Sequence, residues 1–240
     1  MSKDITRRQL ISAAGIIAAG TAVSGAIGAE TDQAAKPQTI KVIGVSCSPR
    51  AGKTTAQSVR IALKAVEEAA PIVETELIDL GGMNIGGWTG GAKPEQAELP
   101  NDDFQRILPK LQDPAVAGLI IGSPVFFRTM SALCKAFLER CAALRTTRYM
   151  LADKPVGVLA VGAFRNGGQE LVIEQIQAAM LCQDVFIVGG KPSAHQGATL
   201  WNNGAGDDIT KDAFGVDTAK LLGARVGHAV MKLAGYGDMK

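Results

Sequence analysis

The chain has 240 residues, enough for one sizeable hydrophobic core and for a single folded domain of ordinary size. Apolar residues make up 47% and charged residues 20%, a composition that indicates a folded globular body rather than a disordered or membrane-built protein. Three of the 25 basic and one of the 23 acidic groups lie in residues 1–29, so the remaining body is neutral, with 22 of each, and no nucleic-acid partner is predicted.

The N-terminus resembles a twin-arginine export signal. Arg7 and Arg8 precede a weakly apolar run rich in Ala and Gly, which ends in small residues. Residues 10–28 are also just long enough for a transmembrane anchor, although four glycines weaken that alternative. We therefore expect an export signal at 1–29, a linker at 30–38 and a periplasmic location, with membrane anchoring if the signal is retained. The export pathway moves folded proteins, so the resemblance also implies a tightly held cofactor.

Five apolar runs after the linker predict the strands of a parallel sheet. They are rich in Val and Ile, and their near-continuous apolar character indicates burial on both faces. The predicted strands span 39–46, 72–80, 115–123, 155–163 and 184–190.

Amphipathic segments between the strands predict helices. Apolar residues recur at spacings of three and four over 59–69 and again over 130–141, and further helices are predicted near 101–112, 168–181 and 215–234. Repeated alternation of strand and helix predicts an α/β fold, with a doubly wound parallel sheet and helices on both of its faces.

Two long segments interrupt this alternation, at 81–100 and 190–208. Both are rich in Gly and Asn, and each contains one of the two tryptophans, Trp88 and Trp201. Loops of this length are often functional. In a doubly wound sheet, ligands bind beyond the carboxyl ends of the strands, so the loops after strands one, three and four are the candidates for a site.

The loop after strand one, GVSCSPRAGKTT at 44–55, ends like a nucleotide-binding P-loop. Cys47 stands where that motif requires its first glycine, and Asp79 is the only carboxylate near the strand ends that could hold magnesium. Four hydroxyls and two cations before a helix instead suit one terminal phosphate held without a metal, such as that of FMN. The groups are those of Ser46, Ser48, Arg50, Lys53, Thr54 and Thr55.

Three segments together resemble the flavodoxin-like NADPH-dependent FMN reductase family, close to its iron–sulfur flavoprotein branch. They are SCSPRAGKTT after strand one, GSPVFFRTMSALCKAFLER after strand three and GAFRNGGQE after strand four. The resemblance spans roughly residues 40–235 and implies a flavodoxin-like, five-stranded sheet in the order 2-1-3-4-5 within a domain at 39–240. Iron–sulfur flavoproteins carry a compact cysteine cluster after strand two. Residues 81–100 contain no cysteine, which argues against an iron–sulfur cluster there.

The resemblance also assigns the other residues of the FMN site. The segment after strand three would flank the ribityl chain and the isoalloxazine edge, through Pro124, Val125, Phe126, Phe127 and Arg128. The segment after strand four would close over the ring, through Gly162, Arg165, Asn166, Gly167 and Gly168. Two departures are that Lys53 stands where relatives commonly have Asn, and that Arg128 and Thr129 replace a frequent Gly-Ser. Taken alone, these segments also suit a strand end with core aromatics and a turn with a helix cap.

The remaining titratable side chains predict no metal site. The four cysteines form no CxxC pair, and core packing is their expected role, including that of Cys47, which has no partner cysteine nearby in the sequence. His195 and His228 have no metal-ligand companions at suitable spacing.

The resemblance implies an oxidoreductase in which FMN takes hydride from NAD(P)H at N5 and the reduced flavin then reduces a quinone, another flavin or a similar acceptor. Hydride transfer needs no side-chain acid or base, so no catalytic side chain is predicted. Export raises an alternative, because NAD(P)H is scarce outside the cytoplasm: a non-catalytic FMN electron carrier between redox proteins. A binding protein with an empty flavin site is a third possibility. Relatives often pair, so a homodimer or homotetramer is expected.

Overall fold

A parallel sheet with helices packed on both faces forms the body of the protein. The computed structural model describes residues 39–91, 101–145, 149–203 and 206–236, so the predicted export signal and linker lie outside the described residues. The strands are β1 (Ile40–Ser46), β2 (Val73–Asp79), β3 (Val116–Phe126), β4 (Thr129–Met130), β5 (Pro155–Gly162), β6 (Phe186–Ile187) and β7 (Ala198–Trp201). The helices are α1 (Thr54–Ala69), α2 (Phe104–Leu111), α3 (Ala132–Arg140), α4 (Gln169–Leu181) and α5 (Ala213–Leu233), with 3₁₀ turns at Cys141–Leu144 and Ile209–Lys211.

The strand order confirms the predicted flavodoxin-like sheet. The parallel strands run in the order β2-β1-β3-β5-β6, which is the predicted order 2-1-3-4-5. Ser46 at the end of β1 lies opposite both Asp79 on β2 and Gly122 on β3, and Pro124 lies opposite Val161 on β5. The carboxyl ends of these strands therefore meet at one edge, where ligands bind in such sheets.

The fifth position of the sheet differs from the prediction, because two short strands share it. Strand β6 pairs with the first residues of β5, whereas Ala198–Trp201 pairs with the last four. The predicted strand at 184–190 was therefore too long, and the segment 190–208, predicted to be a loop, contains β7. Gly190 donates its N–H to the carbonyl of Ala194 at 2.6 Å, so the chain turns there instead of extending the strand.

Strand β3 also continues past its predicted end at residue 123. It runs through Phe126 and then folds back as an antiparallel hairpin, in which Val125 pairs with Met130 and Phe126 with Thr129. Helix α3 consequently begins at Ala132, two residues later than the predicted helical pattern. The segment that we predicted to be a loop after strand three is thus mostly ordered strand.

The core consists of two apolar layers, one on each face of the sheet. Ile43 and Val45 on β1 pack in the layer that includes residues of α2, α3 and α4, whereas Val42 packs in the layer that includes α1 and α5. Each fully buried aliphatic side chain contributes about 1.5–3 kcal/mol by leaving water. Gly44 lets α1 approach the sheet closely, because a Cβ there would lie 2.5 Å from Val59.

A buried ion pair joins the chain before α2 to the end of α3. Arg140 and Asp102 have fully buried side chains and form a short salt bridge, and the guanidinium lies 4.6 Å from the ring centroid of Phe104. Arg140 also reaches the carbonyl of Gly86 at 3.5 Å, which anchors the segment that follows β2. None of the helices in the described ranges is long and apolar enough to cross a membrane.

Candidate functional site

The loop between β1 and α1 is held in shape by backbone hydrogen bonds to its neighbours. The N–H of Cys47 donates to the carbonyl of Gly122 at 2.8 Å, and the hydroxyl of Ser131 donates to the carbonyl of Cys47 at 2.6 Å. Ser48 is buried and accepts the N–H of Arg50 at 3.1 Å, which tightens the turn. The loop after β1 is therefore tied to both β3 and the start of α3.

Asp79 braces the same loop from the end of β2. Its carboxylate accepts the N–H of Gly52 at 2.7 Å and the N–H of Gly81 at 3.3 Å. Gly52 has φ +69°, a left-handed conformation that glycine adopts without strain. A Cβ at Gly81 would lie 2.3 Å from the Cα of Ala51, so this glycine lets the two loops touch. Asp79, which is the carboxylate that could hold magnesium if the loop were a P-loop, thus holds the loop in shape.

Helix α1 begins directly after this loop with its first turn available to an anion. Lys53 is the N-cap residue and makes no side-chain cap hydrogen bond, and the first turn contains no acidic residue. Thr54 and Thr55 in that turn are buried. The leading N–H groups of a helix lack intrahelical acceptors and carry partial positive charge, so they attract phosphate.

Two cations flank the start of α1, and both contact Asp207. Arg50 Nη1 lies 2.9 Å from one carboxylate oxygen of Asp207, and Lys53 Nζ lies 2.9 Å from the other. The hydrogen bond from Lys53, with the charge of Arg50 beside it, lowers the pKa of Asp207 below its ordinary value. Sequence reasoning missed Asp207, because its only signal was its position inside the long segment 190–208.

The hydroxyl of Ser46 adds an unused donor at the end of β1. Its Oγ is buried and has no hydrogen-bond partner within the described part of the chain. A buried unpaired hydroxyl is costly unless a ligand or water completes it. The predicted phosphate-site residues, Ser46 to Thr55, thus lie on one strand end, loop and helix start that contains hydroxyls, two cations and helix N–H groups. This donor set fits a phosphate monoester.

The β3–β4 hairpin turn forms a second wall of the site. Its central residues, Phe127 and Arg128, have φ of +51° and +65°, as in the tight turns that usually contain Asn-Gly. Left-handed conformations cost side-chain-bearing residues about 1–2 kcal/mol each. The side chain of Phe127 is fully exposed, and that of Phe126 is 43% exposed. The predicted segment 124–128 thus comprises the end of β3 and an exposed aromatic turn, at the edge that binds ligands in this fold.

The segment after β5 lies against that hairpin. A Cβ at Gly168 would sit 3.2 Å from the Cα of Arg128, so the two loops are in close contact. Gln169 holds the segment, accepting the N–H of Gly167 at 2.9 Å and donating to the carbonyls of Phe164 and Leu200 at 2.6 and 3.2 Å. The structure therefore brings the segments after β3 and β5 into contact, and the predicted enclosure of a flavin ring by them stays a prediction.

Arg165 points toward β7 and α5. Its guanidinium pairs with the buried carboxylate of Asp212 at 2.9 Å and lies 5.0 Å from the ring centroid of Trp201. The expected closure of Arg165 and Asn166 over a flavin ring stays a prediction. Both residues, with Arg128, line an open cavity of about 420 Å³, which also borders Glu170 and Glu174.

The cysteines are free thiols, and three of them are buried. The structure places Cys134 beside Cys47, so the expectation that Cys47 has no cysteine neighbour holds only along the sequence. Burial, followed by the contact with Cys134, raises the pKa of the Cys47 thiol well above its ordinary value, which makes this thiol unreactive. Within the described ranges, no three His, Cys, Asp or Glu side chains are grouped to hold a metal ion.

Comparison with known proteins identifies relatives of this chain. Residues 40–199 match the model of the NADPH-dependent FMN reductase family. An iron–sulfur flavoprotein from Methanocaldococcus jannaschii is 39% identical over 194 residues, covering 80% of this chain and 97% of the relative. An iron–sulfur flavoprotein from Archaeoglobus fulgidus is 31% identical over 199 residues, covering 81% of this chain and 99% of the relative.

Solved structures with low sequence identity share the fold. A flavone reductase superposes with a TM-score of 0.60 at 16% identity, covering 83% of this chain and 66% of the other. RosB with a bound intermediate, 8-demethyl-8-formylriboflavin-5'-phosphate, superposes with a TM-score of 0.62 at 15% identity, covering 81% of this chain and 80% of the other. Both support the flavodoxin-like architecture.

Proposed function

Because the chain belongs to the NADPH-dependent FMN reductase family and is a flavin-dependent oxidoreductase that uses FMN, we propose that it takes electrons from NAD(P)H and reduces a quinone, a flavin or a similar small acceptor. The observation that carries the proposal is the donor set at the start of α1. Arg50, Lys53 and the uncapped first turn of α1 together suit a doubly charged phosphate monoester.

Holding the phosphate is the task of the loop after β1. Hydrogen bonds between a cation and a phosphate oxygen are about twice as strong as those between neutral groups. The guanidinium of Arg50 and the ammonium of Lys53 would supply such bonds, and the hydroxyls of Thr54 and Ser46 would donate further hydrogen bonds to the charged phosphate. The braces from Asp79 and Ser131 keep the loop in place before the phosphate arrives. This preorganisation lowers the cost of binding.

Orienting the ring would fall to the hairpin turn and to the segment after β5. FMN, when bound, supplies two-electron redox chemistry, and the protein supplies orientation and electrostatics. Residues 124–128 would border one edge of the ring, where backbone N–H groups can donate to its polar atoms. The open cavity beside Arg128 and Arg165 leaves room for a co-substrate. Hydride transfer requires no proton from a side chain, so this proposal assigns no acid or base.

The proposed reaction involves FMN without an iron–sulfur cluster. The relatives are named iron–sulfur flavoproteins, yet residues 81–100 of this chain contain no cysteine. The segment after β2 is held by hydrogen bonds. Trp88 donates its backbone N–H to the carboxylate of Glu139 at 3.0 Å, and the guanidinium of Arg140 reaches the carbonyl of Gly86. The described part of this segment, residues 81–91, is thus anchored to the end of α3.

The decisive experiment is the absorption spectrum of the purified protein before and after anaerobic addition of NADH or NADPH. A yellow protein that bleaches rapidly with either nicotinamide supports the reductase. A yellow protein that bleaches only with dithionite or a protein donor supports the electron carrier instead. A colourless protein that takes up no added FMN contradicts both.

The electron carrier is the second candidate, and one observation favours it. Phe127 is fully exposed and Phe164 is largely exposed at the ligand-binding edge of the sheet, where a protein partner would approach the flavin.

We also propose export by the twin-arginine pathway to the periplasm, from the N-terminal sequence alone. Self-association into a dimer or tetramer is proposed because members of the family often form oligomers. Gel filtration and cell fractionation test these two points.

A further inference from the structure

Asp207 bridges the two cations that are assigned to the FMN phosphate. One carboxylate oxygen lies 2.9 Å from Arg50 Nη1 and the other lies 2.9 Å from Lys53 Nζ. Arg50 and Lys53 are the cationic side chains of the loop before α1. A carboxylate with one oxygen on each cation uses the hydrogen bonds that two phosphate oxygens would use.

The two positive charges at this site are balanced by a phosphate dianion only if Asp207 is not paired with them at the same time. Arg50 and Lys53 together carry two positive charges, which match a phosphate dianion. Asp207 neutralises one of them. Adding the dianion beside the carboxylate would bring three negative charges to two positive ones, and like charges a few ångströms apart repel. The carboxylate must therefore move when the phosphate binds.

Asp207 is placed so that it can move. The side chains of Arg50, Lys53 and Asp207 are each at least one-third exposed, and exposed ion pairs are weakly held. Gly206 before it has φ +76°, and apart from its chain neighbours no atom of the described residues lies within 4 Å of the place where a Cβ would stand. Asp208 after it caps the following 3₁₀ turn by accepting the N–H of Thr210 at 3.0 Å. The hydrogen bond that holds this segment in place is thus made by Asp208, the residue after Asp207.

We propose that Asp207 is an internal competitor for the FMN phosphate and lowers the affinity of the site for phosphorylated ligands relative to ligands without a phosphate. In the absence of flavin it occupies Arg50 and Lys53. Free phosphate and FMN must both displace it, so its removal should strengthen the binding of each, whereas riboflavin, which lacks the phosphate, should be unaffected. The inference rests on the proposed binding of the FMN phosphate at the start of α1.

The test compares FMN with riboflavin, which lacks the phosphate. Full-length apoprotein and its Asp207→Asn variant are titrated with each flavin, with flavin fluorescence as the readout. We expect the variant to bind FMN about five- to tenfold more tightly, a change of about 1.0–1.4 kcal/mol. Its affinity for riboflavin should change by less than about twofold. Asp217→Asn is the matched control, because it removes the same charge from an exposed position on α5.

Two outcomes would overturn the proposal. If Asp207→Asn weakens FMN binding and leaves riboflavin binding unchanged, Asp207 supports the phosphate instead of competing with it. If the variant weakens both flavins equally, Asp207 has only a structural role in the site.

Inorganic phosphate separates this proposal from the FMN assignment. The thermal unfolding of both apoproteins is measured with increasing phosphate at constant ionic strength. Greater stabilisation of the Asp207→Asn variant than of the wild type supports the competitor, even if neither protein binds FMN and the cofactor assignment fails. An equal response of the two proteins to phosphate overturns the competitor.

Discussion

Ser131 donates its hydroxyl hydrogen to the carbonyl oxygen of Cys47 at 2.6 Å, across 84 residues of sequence. The hydroxyl oxygen of Ser131 also accepts the N–H of Cys134 at 3.0 Å and so caps α3. One buried hydroxyl thus fixes both the start of a helix and the loop that we assign to the phosphate.

Replacing Ser131 by Ala should destabilise the protein and loosen the loop. The variant loses an N-cap and a buried hydrogen bond, so we expect the free energy of unfolding to fall by about 2–3 kcal/mol, measured in urea. The affinity for FMN should fall with it. Ser131→Thr retains the hydroxyl and serves as the control. Equal losses in the two variants would contradict the proposed role of the hydroxyl.

Replacing Ser46 by Ala should have opposite effects on stability and on binding. Its buried hydroxyl has no partner within the described residues, so its removal should stabilise the apoprotein by about 1 kcal/mol. FMN binding should weaken, because a donor to the ligand is lost. Ser123→Ala is the contrasting variant, since Ser123 accepts the N–H of Ser131 at 3.1 Å and its loss should destabilise. A destabilised Ser46→Ala apoprotein would count against an unpaired hydroxyl.

Replacing Thr54 by Val should weaken the binding of FMN and spare that of riboflavin. Valine keeps the shape of the side chain but removes the hydroxyl from the first turn of α1. A hydrogen bond to a charged group contributes about 1.5–3 kcal/mol, so the Kd for FMN should rise about tenfold or more. Ser58→Ala is the control on the same helix, because its hydroxyl binds the carbonyl of Thr54 at 2.8 Å. Unchanged FMN binding in Thr54→Val, together with unchanged binding in Arg50→Ala, would show that the phosphate site is misplaced.

Replacing Gly168 by Ala should strain the contact between the two ligand-binding loops. Its φ is +107°, and a Cβ would lie 3.2 Å from the backbone of Arg128, so we expect a loss of about 1–2 kcal/mol or more in urea unfolding. Gly82→Ala has a similar positive φ but open space around the new Cβ. It therefore isolates the conformational cost. Equal losses would mean that the contact with Arg128 adds nothing.

Replacing Asp102 by Asn should leave the buried charge of Arg140 without the carboxylate that neutralises it. Breaking a buried ion pair in this way costs about 3–5 kcal/mol, which urea unfolding would detect. The amide retains an oxygen to accept the N–H of Phe104, so the loss reports on the charge. Asp217→Asn, at an exposed ion pair, should leave the unfolding midpoint almost unchanged. A midpoint unchanged in Asp102→Asn as well would contradict the pairing.

The sheet was predictable from sequence because its strands are buried on both faces. Runs such as 155–163 are apolar throughout, and β5 is buried along its whole length. The fifth position was less predictable, since β6 has two residues and β7 has four, too few for a clear pattern. The hairpin after β3 was missed because Phe127 and Arg128 are unusual in a turn that favours Asn and Gly.

The residues of the phosphate loop could be predicted from the sequence, whereas the hydrogen bonds and ion pairs that hold the loop in shape could not. Hydroxyls and cations before a helix form a local pattern that the sequence displays. The bonds that hold the loop come from Asp79, Ser131 and Asp207, which lie on other elements. Such contacts depend on the register of the strands and on loop conformation, and a single sequence contains no direct signal for either.

Two short strands, β6 and β7, share the edge of the sheet beside β5, which affects whether molecules can associate through this edge at high concentration. Strand β6 offers two residues of outer edge and β7 offers four, with a turn between them. Exposed edge strands recruit strands from other molecules when they are long and regular. An interrupted edge gives an incoming strand little continuous backbone to pair with, so this side of the sheet is protected against edge-to-edge aggregation.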